Sequence, residues 1–313
     1  MLQIAKLKDK PFCIVLTDSA QRLSSEYLES LKHDYEYLTK KAVFNIVDIS
    51  SKESEWYLKT LNPVSFPLTC IFSKEGQLID LIPGAAKESF LYTDQALTSK
   101  KITEYHWPNR FNRNKESVVP LLAQAINFAN QINKGIYNWK NYESLSDSLH
   151  EPYINYLLLR AAFLSKDSAF AIINAQRLVA MESSITLEQY KNEFIEAKKV
   201  LNPNFDLAKM PGIRTNKEKI RLSGLKVGQS VPVDIILFND GEDLLKIEKI
   251  NMSCTCVHLE GPDKQIIIQG KKSYIARFYF TPEDKGEVSR DIFIASNAFN
   301  QPNLHINILA NVN

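Results

Sequence analysis

No apolar run in the 313 residues approaches the roughly 18 that a membrane-spanning helix needs. The opening stretch MLQIAKLKDK is too short and too charged for a signal peptide. Read alone, the chain is therefore expected to be soluble, with no transmembrane segment. A surplus of one charge is missing as well: 38 Lys and Arg against 36 Asp and Glu leave a net charge of +2. That balance supplies no field for nucleic acid or an anionic membrane surface, so no nucleic-acid partner is expected. Cysteine is scarce. Four residues, two of them isolated, exclude a disulfide framework and leave the redox compartment open.

Catalytic signatures are missing too. The sequence holds no phosphate-binding Gly-x-x-x-x-Gly-Lys-Ser/Thr loop and no Gly-x-Gly-x-x-Gly after a strand. It also holds neither His-Glu-x-x-His nor Gly-x-Ser-x-Gly. The five histidines are scattered, at 33, 106, 150, 258 and 305, and suggest no acid–base dyad. The expectation is a protein without a cofactor and without an enzyme's machinery.

What is present is ordinary globular composition, 44% hydrophobic and 24% charged, arranged in three segments of different pattern. Over residues 1–103, strand-like FCIVLT (12–17) precedes a helical stretch at about 23–41, with Leu23, Tyr27, Leu28, Leu31, Tyr35 and Leu38 at three-and-four spacing. AVFNIVDI reads as a strand, KESEWYLKTL as a helix, and PLTCIF with QLIDLI as a hairpin across SKEG. The order predicts an α/β unit with a mixed sheet. Residues 104–212 read as helical hairpins, with Gly135, Asp167-Ser168 and Pro203 as stop and start signals. Residues 213–313 carry seven strand-like runs punctuated by Asn239-Asp240-Gly241, Gly270, Pro282 and Gly286, which predicts an immunoglobulin-like β-sandwich. The fold class expected is thus multidomain, α/β then α then β.

The first segment, with SFPLTCIFSKEGQLIDLIPGA, resembles the thioredoxin-like family over about residues 5–97. The resemblance implies a cis-proline at Pro67, opening the first strand of the hairpin, and a glycine at Gly84 closing the second. That family performs thiol chemistry with Cys-x-x-Cys at the turn before the first helix, where a helix N-terminus lowers the first thiol's pKa. Here the turn reads DSAQRLS, with Gln21 and Ser24 nearest the two cysteine positions, and no cysteine lies between 14 and 69. Exchange by that route is excluded. Cys13 and Cys70 sit inside apolar strand runs and read as core residues. The last segment, through GLKVGQSVPVDIILFNDGEDLLKIEKINMSCTC and GEVSRDIFIASN, resembles the DUF1573 family, with Thr255 between the cysteines where a small residue is usual. That resemblance implies a Bacteroidetes protein of the cell envelope.

Two candidate sites follow. One is a peptide-binding groove in which Tyr27, Ser65, Phe66 and Pro67 contribute and Gln21 to Ser24 form the floor, exposing backbone for strand addition. Its occupant is a protein or peptide partner. The other is Cys254-Thr255-Cys256 with His258, for which three readings stay open. Residues two apart on a strand share a face about 6.6 Å apart, so two thiolates can lean onto one metal ion, but all three side chains span roughly 13 Å of regular strand. A redox disulfide is the second reading and simple packing the third. The six aromatics Tyr105, Trp107, Phe111, Tyr137, Trp139 and Tyr142 either line a groove or pin helices to a neighbouring layer. The function expected is non-catalytic binding or scaffolding at the cell envelope, with thiol–disulfide or metal handling at Cys254/Cys256 as the alternative.

Overall fold

The computed structural model describes residues 5, 7–111, 113–261 and 266–313. Residues 1–4 and 6 of MLQIAKLKDK lie outside the described residues. The chain divides into two compact units, Met1–Asn174 and Ala175–Asn313, so the helices expected over 104–212 are shared between them.

The first unit opens with β1 (Phe12–Thr17), α1 (Arg22–His33), α2 (Glu36–Lys41), β2 (Val43–Asp48) and α3 (Glu55–Leu61). It continues with β3 (Leu68–Phe72), β4 (Leu78–Pro83) and α4 (Lys87–Ser99). The strands lie in the order β2-β1-β3-β4, with β1 parallel to β2 and antiparallel to β3. All six residues of β1 are buried, as a strand covered on both faces requires, which is why FCIVLT is an unbroken apolar run. Cys13 pairs with Ile71 and Ile14 with Cys70. Directly opposed residues share a face. The two buried free thiols therefore point to opposite sides of the sheet.

On the Cys13 face, Val15, Ile71 and Ile82 pack against Tyr27 and Leu31 of α1, Leu38 of α2, and Phe90 and Leu97 of α4. The stretch read as one helix over 23–41 is broken at Asp34–Tyr35, where the Tyr35 ring stacks on Phe90 at 4.2 Å. Beyond α4 come α5 (Lys115–Asn133), α6 (Ser144–Leu149), α7 (Pro152–Leu164) and α8 (Ser168–Val179). Asn114 caps α5 by accepting from the Ser117 amide at 3.1 Å. The α5 helix lies against β4. Asp80 of β4 meets the Lys115 ammonium there at 2.7 Å. The free oxygen of Asp80 accepts from the Thr103 amide and hydroxyl, at 2.9 and 2.7 Å. The aromatics of this region pin layers together. Trp107 and Phe111 are buried, Tyr142 stacks on Phe128, and Trp139 on Phe170.

The second unit contains α9 (Ser184–Leu201), capped reciprocally by Ser183 and Thr186, and a two-sheet β-sandwich. One sheet runs β10 (Ile266–Ile268), β8 (Leu245–Met252), β12 (Gly286–Ser296), β13 (Asn303–Val312), β6 (Lys219–Leu225). The other runs β5 (Ile213–Thr215), β7 (Val231–Asn239), β11 (Ser273–Phe280), β9 (Val257–Leu259). Alternate side chains of β7 and β13 point inward, the period of a half-buried strand. All seven predicted strands form. The short β5 and β9 are additional.

The turn after β7 is built around its own side chains. Asn239, almost wholly buried, accepts from the Gly241 amide and donates to the carbonyls of Asp243 and Ile268. Gly241 admits no side chain: a Cβ there would lie 2.0 Å from the Met210 carbonyl oxygen.

Candidate functional site

The β1–α1 turn and the chain entering β3 lie at the same end of the first sheet, because Leu16 pairs with Leu68 and Thr17 with Asp48. At that end, the turn is held by two carboxylates. Asp18 accepts from the Ala20 amide at 3.0 Å and the Gln21 side-chain amide at 2.7 Å. Asp48, closing β2, accepts from the Ser50 hydroxyl and amide and from the Ser19 amide. These bonds, Ser50's first, depress the Asp48 carboxyl to about 2.

The six residues predicted for the groove divide by burial. Gln21 and Ser65 are exposed and Phe66 is half-buried, with a cis bond joining it to Pro67. Pro67 itself is buried, and its carbonyl accepts from the Gly84 amide at 2.8 Å. Ser24 is 2% exposed and its hydroxyl accepts from the Asp18 amide. Tyr27 is fully buried: its hydroxyl shares a 2.8 Å hydrogen bond with Thr69 and its ring stacks on Phe90. Tyr27 therefore belongs to the core beneath the turn, not to a ligand-facing surface. Burial raises its phenol well above the usual range, so it is no acid or base near neutrality. A second concavity, an open groove of about 900 Å³ lined by Gln77, Lys100, Gln124, Asn127 and Lys134, lies beside the β3–β4 turn at the opposite end of the sheet.

In the second unit, β8 ends at Met252 in one sheet and β9 begins at Val257 in the other, so Ser253–Cys256 is where the chain changes layers. Cys254 and Cys256 form a disulfide there, with their Cα atoms 5.2 Å apart. Cys254 is half-buried. Cys256 is 4% exposed and packs at the edge of the sandwich core. The Arg290 guanidinium of β12 donates from Nε to Cys256 Sγ at 3.2 Å. Both flanks are tied down independently of sulfur: Ser253 and Asp291 exchange bonds of 2.9 and 2.8 Å, and the Cys256 carbonyl accepts from the Thr281 amide at 2.8 Å.

His258 does not join the cysteines. It is exposed on β9, its ring 5.4 Å from that of Tyr279. His305 is engaged with Asp291 at 2.8 Å. Among the described residues no group of three or more His, Cys, Asp or Glu side chains is arranged to hold a metal ion. Two participants escaped sequence reading. Asp48 carried no motif, and Arg290 lies 34 residues from Cys256, with only its position on the strand beside β8 to bring it close.

Residues 213–312 match a family model described as "Protein of unknown function (DUF1573)". No curated protein matches the chain at a significant level. Among solved structures, a protein of unknown function from Porphyromonas gingivalis W83 is 18% identical over 35% of this chain, with a TM-score of 0.30. The chain spans about half (50%) of that protein's length. The ASH / PapD-like domain of human CEP192 is 11% identical, over 35% of this chain and 91% of its own, at a TM-score of 0.27. The periplasmic chaperone SfaE is 15% identical over 32% of this chain and 57% of its own, at 0.26. The sandwich at the end of the chain is thus a DUF1573 domain, spanning residues 213–312.

Proposed function

We propose that the protein is a non-catalytic binding or scaffolding protein of the bacterial cell envelope, in which a thioredoxin-like domain without redox cysteines acts as a recognition surface. The observation that carries this reading is the β1–α1 turn. Asp18–Gln21 is locked by carboxylate–amide hydrogen bonds at the place where the thioredoxin-like family keeps its thiols. The strand order β2-β1-β3-β4 and the proline opening β3 support the thioredoxin-like assignment. Beside that proline, exposed Val64 and Ser65 and half-buried Phe66 offer backbone and one aromatic face to an extended peptide, the geometry of strand addition.

The Cys254–Cys256 disulfide supports an oxidising compartment, in keeping with a periplasmic or envelope location. In an insulin-reduction assay the full chain carrying Cys254→Ser and Cys256→Ser is expected to give no turnover, and steady turnover would sink the non-catalytic reading of the thioredoxin-like domain. Peptides selected on the full chain are expected to lose about tenfold in affinity to Phe66→Ala, the loss of one modest aromatic contact. Undiminished binding counts against the groove.

A further inference from the structure

We infer that the Cys254–Cys256 disulfide is a directional thiol-exchange site, in which an external thiol attacks Cys254 and Cys256 departs as a thiolate held by Arg290. Three observations converge on it, and none involves the first unit or its groove. The two sulfurs differ in access: Cys254 is half-buried, whereas Cys256 is closed into the edge of the core. They differ in electrostatics, since the guanidinium N–H points at Cys256 Sγ. A cation beside a thiol favours its thiolate, and the sulfur with the lower pKa is the better leaving group. The backbone on either side is anchored to Asp291 of β12 and to Thr281, just past β11, by bonds that survive opening of the disulfide. The released thiolate therefore stays near its partner and can reclose.

The chemistry balances with a low-molecular-weight thiol as reductant. Its thiolate, having given its proton to water, forms a bond to Cys254 Sγ. The Cys254–Cys256 bond breaks, and its electron pair leaves on Cys256. A second molecule of the same thiol then attacks the added sulfur. It releases the oxidised reductant as its disulfide and leaves Cys254 reduced, two electrons having passed to the protein. A dithiol that supplies both thiols is oxidised to its disulfide by these steps, and read backwards they let the reduced pair reduce a disulfide.

The test uses the full native chain with 2-mercaptoethanol, acid quenching, alkylation and fragment mass spectrometry. The mercaptoethanol adduct is expected on Cys254 and the alkyl group on Cys256. An adduct on Cys256, an even mixture, or no reaction until denaturant is added would overturn the inference. With dithiothreitol, Arg290→Met is expected to slow reduction about three- to tenfold, because the departing thiolate loses the cation beside it. Arg290→Lys should stay within about twofold of the parent, since a cation remains. An unchanged rate in a folded Arg290→Met protein would refute the thiolate-holding role. Should that variant fail to fold, the site of the adduct in the parent chain still decides.

Discussion

Asp80 and Lys115 meet at 2.7 Å with side chains 0% and 5% exposed, and every remaining polar atom of the pair is spoken for by Thr103 and Tyr105. Two charges can be buried together only when geometry and extra hydrogen bonds offset their desolvation. Desolvation pulls the Lys115 ammonium below its usual pKa, against the opposing pull of Asp80. Removing one partner strands the other. Lys115→Met is expected to cost about 3–5 kcal/mol, and the double change Asp80→Leu with Lys115→Met distinctly less than the sum of the single ones. Urea unfolding of the three variants checks this.

Asp48 predicts an acid limit for the β1–α1 turn. Its folded pKa, about 2, lies below the ordinary 3.8. A depressed carboxylate contributes stability that is full above its unfolded pKa and is lost as pH falls through the folded one. Between pH 4 and 2 the parent chain should lose stability faster than Asp48→Asn, whose side chain has no proton to gain. Matching slopes for the two proteins across that window would contradict the assignment.

At the β7–β8 turn, Gly241→Ala forces a methyl against the Met210 carbonyl, so backbone must move. Overpacking of this kind costs about 1–3 kcal/mol or more. The urea midpoint of the variant should drop while its unfolding slope, set by surface exposed, stays put.

Thiol counting separates the four cysteines. Native protein is expected to show no reactive thiol, because Cys13 and Cys70 are buried, and burial raises both well above the normal cysteine range. Denaturation without reductant should release two, and denaturation with reductant four. A native count above zero would mean that the strand interior opens or that the disulfide is absent.

Period and punctuation made most of the fold legible in the sequence. FCIVLT reads as a doubly covered strand because both of its faces are apolar, and the sandwich strands declare themselves by alternation. The candidate site was legible only where local spacing carries it. The Cys-x-Cys pair is visible, but its layer-crossing position depends on which sheet each flanking strand joins. Arg290 reaches Cys256 through tertiary packing, which one-dimensional spacing does not encode. Tyr27 is instructive. Its place in the three-and-four pattern with Leu31 marked the core-facing side of α1, and that periodicity outweighs the analogy that set it in a groove. Two of its companions in that pattern, Leu23 and Leu28, face outward because the helix buries a narrower stripe than the pattern suggested.

The position of β13 has a consequence for synthesis. It lies between β12 and β6, so it is an interior strand although it comes last in this stretch of chain. It pairs in parallel with β6, the first strand of its sheet to be made, and the Asn313 amide closes onto the Leu225 carbonyl. While the ribosome is still translating residues 226–302, β6 has no partner in its sheet, and the groups it would pair remain open to water or to other chains. Closing this sheet waits for contacts that are very distant in sequence, which is the slow kind. The interval between making β6 and making β13 is therefore when this chain is most exposed to mispairing, and when a chaperone would have most to protect.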